Sequence, residues 1–147
     1  MKKTLPALLL GTALLVSGCS HRCNTCFMES EKPKASCSQK TPAHFAFGSA
    51  MLDQADKDNL DKVADWMKHN PSQKVRIAGY TDDTGPAAYN MTLSKERAQS
   101  AAAYLEGQGI AADRISTHGF GATNFAVPNT TAAERAKNRR IEISFYE

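Results

Sequence analysis

Residues 79–98 read GYTDDTGPAAYNMTLSKERA, and the organisation of the whole chain follows from them. Just before them, Lys74-Val75-Arg76-Ile77-Ala78 is apolar at alternate positions and predicts a half-buried strand. Gly85-Pro86 signals a turn. Ser94 has the chemistry of a helix N-cap, with Leu93 placed to staple against Ala98. Ala98, Ala101, Ala102 and Leu105 continue at helical spacing, so the stretch reads as strand, polar loop and helix start.

Two charges stand out in it. Asp82 lies just past the strand, and Arg97 falls in the first turn of a helix that starts at Ser94, where the dipole disfavours a cation. A guanidinium beside free helix N–H groups suits a carboxylate, and a neighbouring carboxylate suits an ammonium. Together they would hold an amino group and a carboxylate on one carbon. The alternative is a plain surface ion pair between Asp82 and Arg97, worth under about 1 kcal/mol.

The spaced residues Gly79-Tyr80-Thr81-Asp82, Gly85, Asn90, Leu93-Ser94 and Arg97-Ala98 closely resemble the OmpA-like peptidoglycan-binding domain. Tyr104-Leu105, Gly109-Ile110, Arg114-Ile115, Gly119, Gly121 and Arg135-Ala136, with Asn138-Arg139-Arg140-Ile141-Glu142-Ile143, extend the resemblance over about residues 43–147. It implies that Asp82 and Arg97 grip the free amino-acid centre of diaminopimelate in a peptidoglycan stem peptide. Thr81, Asn90 and Leu93 are implied as supporting groups. The resemblance departs at Ala46, between Phe45 and Phe47, and at Gly48-Ser49, where the family often places a polar group near the ligand. It departs again at Ala122-Thr123-Asn124-Phe125, where proline is common, so altered rim contacts are expected.

Outward from this centre, 147 residues with 41% hydrophobic content fit one folded domain. A net charge of +3 is too small to point to nucleic acid. The alternating aromatic run 43–47 predicts the first strand. A helix is expected from about Asp53 to His69, with Leu60, Val63, Ala64 and Met67 on one face and Asn70-Pro71 ending it. The central helix is expected over 94–106, a third strand over 114–119, a short helix or turn over 131–138, and a last strand over 140–145. The expected fold is α+β: a two-layer sandwich, βαβαβ(α)β, with helices on one face of a four-stranded sheet. That the sheet is mixed is implied by the resemblance.

The N-terminal segment reads differently. Lys2-Lys3, the apolar run from Leu5 to Val16 and Leu15-Val16-Ser17-Gly18-Cys19 resemble a lipoprotein signal, residues 1–18, ending in a lipobox. Cys19 is the expected lipidation site, anchoring the chain in the outer membrane with its domain facing the periplasm. Residues 19–42 read as the lipidated N-terminus and a polar tether, and 43–147 as the binding domain. Cys23, Cys26 and Cys37 leave two readings: a disulfide with one spare thiol, or, with His21, a metal or redox site.

No nucleophile elbow, zinc-hydrolase motif or phosphate loop occurs, and His44, His69 and His118 are scattered. The expectation is a non-catalytic tether between outer membrane and cell wall, needing no cofactor and no metal. Two alternatives stay open: a wall hydrolase using Asp82 and Asp83, and a metal- or redox-active lipoprotein using its cysteines. Other envelope proteins stay open as partners.

Overall fold

A computed structural model describes residues 38–147. Cys19, Cys23, Cys26, Cys37 and His21, with the signal and lipidation readings, lie outside the described residues.

The described chain runs β1 (Ser38–His44), α1 (Gln54–His69), β2 (Lys74–Gly79) and α2 (Ala87–Gly107). A single 3-10 turn (Ala112–Arg114), β3 (Ile115–Gly119), α3 (Ala132–Asn138) and β4 (Arg140–Tyr146) complete it. The four strands form one sheet in the order β1-β4-β2-β3. β2 and β3 are parallel, whereas β4 is antiparallel to both β1 and β2. The sheet is therefore mixed, as the resemblance implied.

The periodicities explain the layers. Along β4, Ile141, Ile143 and Phe145 are buried on one face, and Val75 and Ile77 join them from β2. Leu60, Val63, Ala64 and Met67 of α1 close over that face, and Ala98, Ala101, Ala102 and Leu105 of α2 do the same. The opposite face carries Arg76, Glu142, Ser144 and Tyr146, so one layer of helix covers one side of the sheet. α1 begins at a capping box in which Asp53 accepts from the amide of Asp56 and the Asp56 carboxylate accepts from the amide of Asp53.

Two expectations are corrected. The first strand is Ser38–His44, not residues 43–47. Pro42 argues against a strand when the sequence is read alone, but β1 is an edge strand with an irregular register, where proline is tolerated. Second, α2 starts at Ala87, seven residues before Ser94. Pro86 supplies the extended N-cap conformation, and Ser94 lies inside the helix. Its hydroxyl donates to the Met91 carbonyl at 2.8 Å and accepts from the Gly121 amide at 2.9 Å. Leu93 and Ala98 are thus not a staple across a helix start.

The interior of α2 lies so close to β2 that a Cβ on Gly79 would collide with the Ser94 carbonyl oxygen. Glycine is required there by this approach. The Thr81 amide donates to the Gly121 carbonyl at 3.0 Å, so the chain ends after β2 and β3 are tied to each other and to α2.

Candidate functional site

The C-terminal ends of β1, β2 and β3 and the start of β4 lie at the same end of the sheet. There a shallow cleft is lined by Thr81, Asp82, Asn90, Leu93, Arg97 and Arg139, with Phe47, Gly48, Thr84 and Tyr89 on its lip. All five residues named as binding residues in the sequence are brought together, and Arg139 joins them. The cleft is small, enclosing about 10 Å³, room for about one water-sized group.

Arg97 is fully buried and stands mid-helix, so the first-turn argument does not hold. Its position follows from hydrogen bonds instead. Nε donates to Ser49 O at 2.9 Å, Nη1 to Tyr80 O at 2.9 Å and Nη2 to Ala46 O at 3.3 Å. The guanidinium also lies 5.1 Å from the centre of the Phe45 ring. Of five N–H donors, three are spent on the main chain and one remains on each terminal nitrogen. Burial pushes its pKa down to about 10, Arg139 adds to that, and Asp82 acts against both. It stays charged at neutral pH.

Asp82 is also buried, at 3% exposure, and not on an exposed loop as expected. Its ion-pair partner is Arg139, whose Nη1 donates to Oδ2 at 3.0 Å. Oδ1 accepts the Thr84 amide at 3.0 Å, an Asx turn that shapes the loop. Neither carboxylate oxygen is hydrogen-bonded to Arg97 among the described residues; the surface ion pair of Asp82 with Arg97 is not formed.

The supporting residues act on the backbone. Thr81 donates its hydroxyl to the Asp82 carbonyl at 2.9 Å. Asn90 donates its side-chain amide to Thr84 O at 3.1 Å, tying the loop to the first turns of α2. Leu93 is buried against the cleft floor. The departure at residues 46–49 is met by the main chain, since Ala46 and Ser49 supply carbonyls to Arg97.

Arg139 is the residue that the reading of charges missed. Its Nε donates to the Phe45 carbonyl at 2.9 Å, and its side chain keeps 16% exposure. Only its place in the Asn138-Arg139-Arg140 run hinted at a role, because its partner Asp82 is 57 residues away. Asn138 sets the approach: its Oδ1 accepts the Ala126 amide at 2.8 Å and its Nδ2 donates to the Val127 carbonyl at 2.8 Å. The lining holds two guanidiniums and one carboxylate, a surplus of one positive charge. Among the described residues no group of three His, Cys, Asp or Glu side chains is placed to hold a metal ion.

The domain is a two-layer sandwich with a charged cleft at the C-terminal ends of its parallel strands. The chain belongs to the OmpA family, whose pattern it matches over residues 44–139. It is 45% identical over 102 residues to the peptidoglycan-binding protein ArfA of Mycobacterium tuberculosis, covering 69% of this chain and 31% of that protein. It is 44% identical over 100 residues to the probable lipoprotein YiaD of Escherichia coli, covering 68% and 46%. The chain thus spans about a third to a half of the length of these relatives. The peptidoglycan-associated lipoprotein from Burkholderia pseudomallei shares the fold, with a TM-score of 0.70 at 23% identity over 74% of this chain and 91% of that one. The C-terminal domain of Helicobacter pylori MotB gives a TM-score of 0.67 at 26% identity, covering 72% and 84%.

Proposed function

We propose that this chain is a non-catalytic peptidoglycan-binding lipoprotein that ties the outer membrane to the cell wall. Its ligand is the free amino-acid centre of diaminopimelate in a stem peptide. The observation that carries this is the buried guanidinium of Arg97, held by three carbonyls at the floor of a cleft that also holds Asp82. A fixed guanidinium with a donor left on each terminal nitrogen suits a carboxylate. The Asp82 carboxylate beside it, with lone pairs beyond those used by Thr84 and Arg139, suits the ammonium on the same carbon. Membership of the OmpA family and likeness to a peptidoglycan-binding protein and a lipoprotein support the reading.

Acyl chains on Cys19 would hold the chain in the outer membrane, with the domain in the periplasm. A single amino-acid centre offers few contacts, so each grip is weak, and many copies on one wall add avidity. No step of the reading requires a metal or cofactor, and in it Asp82 takes the ligand ammonium.

The test is retention of the full chain, kept in detergent, on isolated sacculi, with soluble products followed alongside. Retention without release of muropeptides supports the reading. Lysis of the wall would make the protein an enzyme, and failure to bind would remove the wall as its ligand. Wall with amidated diaminopimelate, or with lysine in its place, should retain less.

A further inference from the structure

The two edges of the sheet differ. Pro42 and an irregular register mark β1, whereas β3 pairs with β2 in an unbroken register and holds no proline or lysine. The Phe120 amide donates to Gly79 O at 3.0 Å, towards β2. By alternation the amides and carbonyls of Ile115, Thr117 and Gly119 point the other way. Among the described residues no strand pairs with that side of β3. A regular strand edge left open is a template for another strand.

Between this edge and α2 runs a groove of about 280 Å³, lined by Gln99, Ala102, Ala103, Glu106, Ile115 and Thr117. Lys95 continues the same stripe of α2, which recurs at helical spacing. It stands over the far end of β3, since a Cβ on Gly119 would run into its side chain. Glu106 lies about 16 Å further along the helix, towards Ile115. The stripe is thus positive at one end and negative at the other, with small or neutral residues between them. Lys95 and Glu106 are both exposed.

We infer that the β3 edge and this stripe of α2 form the contact surface for a second copy of the chain. The two β3 strands pair antiparallel across a two-fold axis at Thr117. Thr117 then faces its own copy, and Ile115 faces Gly119 of the partner subunit. All the outward groups are used, each facing pair exchanging two hydrogen bonds. The axis turns the stripe end for end, so Glu106 of each copy meets Lys95 of the partner subunit. The spacing agrees as well. Ser94 packs on both Gly79 and Gly119, so α2 lies over the gap between β2 and β3. With strands about 4.8 Å apart, α2 is then about 10 Å from its copy. Helices pack at about 8–10 Å, and Ala102 and Ala103 leave room for that approach. A strand of another protein could use the edge, but the charge order of the stripe and its distance from the edge are matched by the chain itself. None of the residues lining the charged cleft takes part, so the inference does not rest on the wall reading.

The experiment is sedimentation of the full chain in reducing buffer, with detergent micelles in large excess over protein. The parent should show a monomer–dimer equilibrium. Thr117→Pro removes an outward amide at an edge, where proline is tolerated, and should weaken the dimer at least about 10-fold. Lys95→Glu and Glu106→Lys each set like charges together in both symmetric contacts and should weaken it about 3- to 10-fold. The double variant Lys95→Glu/Glu106→Lys restores opposite charges and should recover the dimer. Circular dichroism checks the fold of each. A parent that stays monomeric up to about 0.1 mM overturns the inference and leaves the edge to a strand of another protein. A dimer that a folded Thr117→Pro leaves intact overturns the β3 edge. Should Thr117→Pro unfold, the charge series decides: single variants without effect, or a double variant without recovery, overturn the pairing.

Discussion

Asp82 and Arg139 form a nearly buried ion pair, 3.0 Å between Oδ2 and Nη1, that joins the end of β2 to the start of β4. Side-chain exposures of 5% for Asp82 and 16% for Arg139 leave little water to take over if one partner is removed. A binding residue is thereby also a structural one, and the consequences of its loss are twofold.

Asp82→Ala should abolish diaminopimelate binding and also destabilise the fold by about 3 kcal/mol, because it leaves a guanidinium unpaired. The double variant Asp82→Ala/Arg139→Met should recover part of that stability without recovering binding. Urea unfolding followed by circular dichroism, with ligand titration in parallel, checks both. A singly substituted chain as stable as the parent would show that the pair does not hold these elements together.

Arg97→Ala removes the donors to the carbonyls of Tyr80 and Ser49, leaves Ala46 O with only the Ser49 amide, and should cost about 3 kcal/mol. Arg97→Lys keeps the charge but not the planar fork, so it should restore neither the three contacts nor carboxylate binding. Hydrogen exchange should rise across residues 46–51 in both variants. Protection equal to the parent in Arg97→Lys would mean that a point charge suffices.

Gly79→Ala should shift or detach α2, since its Cβ would run into the Ser94 carbonyl, which is main chain and has no rotamer to yield. A fall in melting temperature of at least about 10 °C is expected, as for an overpacked contact of about 2 kcal/mol or more in a domain of this size. Thermal unfolding within a degree of the parent would contradict so close an approach.

Cys19→Ser should abolish acylation and leave an unprocessed or mislocalised precursor, read by intact mass and by membrane fractionation. Replacing Cys23, Cys26 and Cys37 by Ser should leave sacculus retention unchanged. Normal processing of the first variant, or a large loss of retention in the second, would remove the corresponding reading of the N-terminal segment.

Much of this fold is legible in the sequence where periodicity and chemistry agree. Leu60, Val63, Ala64 and Met67 on α1, and Ile141, Ile143 and Phe145 on β4, take the faces that their spacing predicts. The start of α2 is hidden for a physical reason. Asn90, Ser94 and Arg97 interrupt its apolar pattern, yet all three are buried, because each is satisfied by main chain of another loop or of an earlier turn. A polar residue that mimics a cap in sequence here fills an interior contact. Asp82 and Arg97 are legible through their charges and the resemblance, whereas Arg139 is not, because only the antiparallel return of β4 brings it to Asp82. Phe45 to Phe47 look like strand residues, but they form the bend that delivers the Phe45 carbonyl to Arg139, the Ala46 carbonyl to Arg97 and a ring to the lip.

The direction of β1 has a mechanical consequence. Ser38 pairs with Ser144 at one end of the sheet, and His44 pairs with Arg140 at the other, beside the cleft. In a chain held by its N-terminal segment and loaded through a ligand in that cleft, tension enters at Ser38 and leaves at the other end of the sheet through Asp82, Arg97 and Arg139, which belong to other elements. The pull then runs along β1, and its hydrogen bonds to β4 are sheared together and not opened one after another. In that geometry the β1–β4 hydrogen bonds share the load, so the edge strand is not opened one bond at a time.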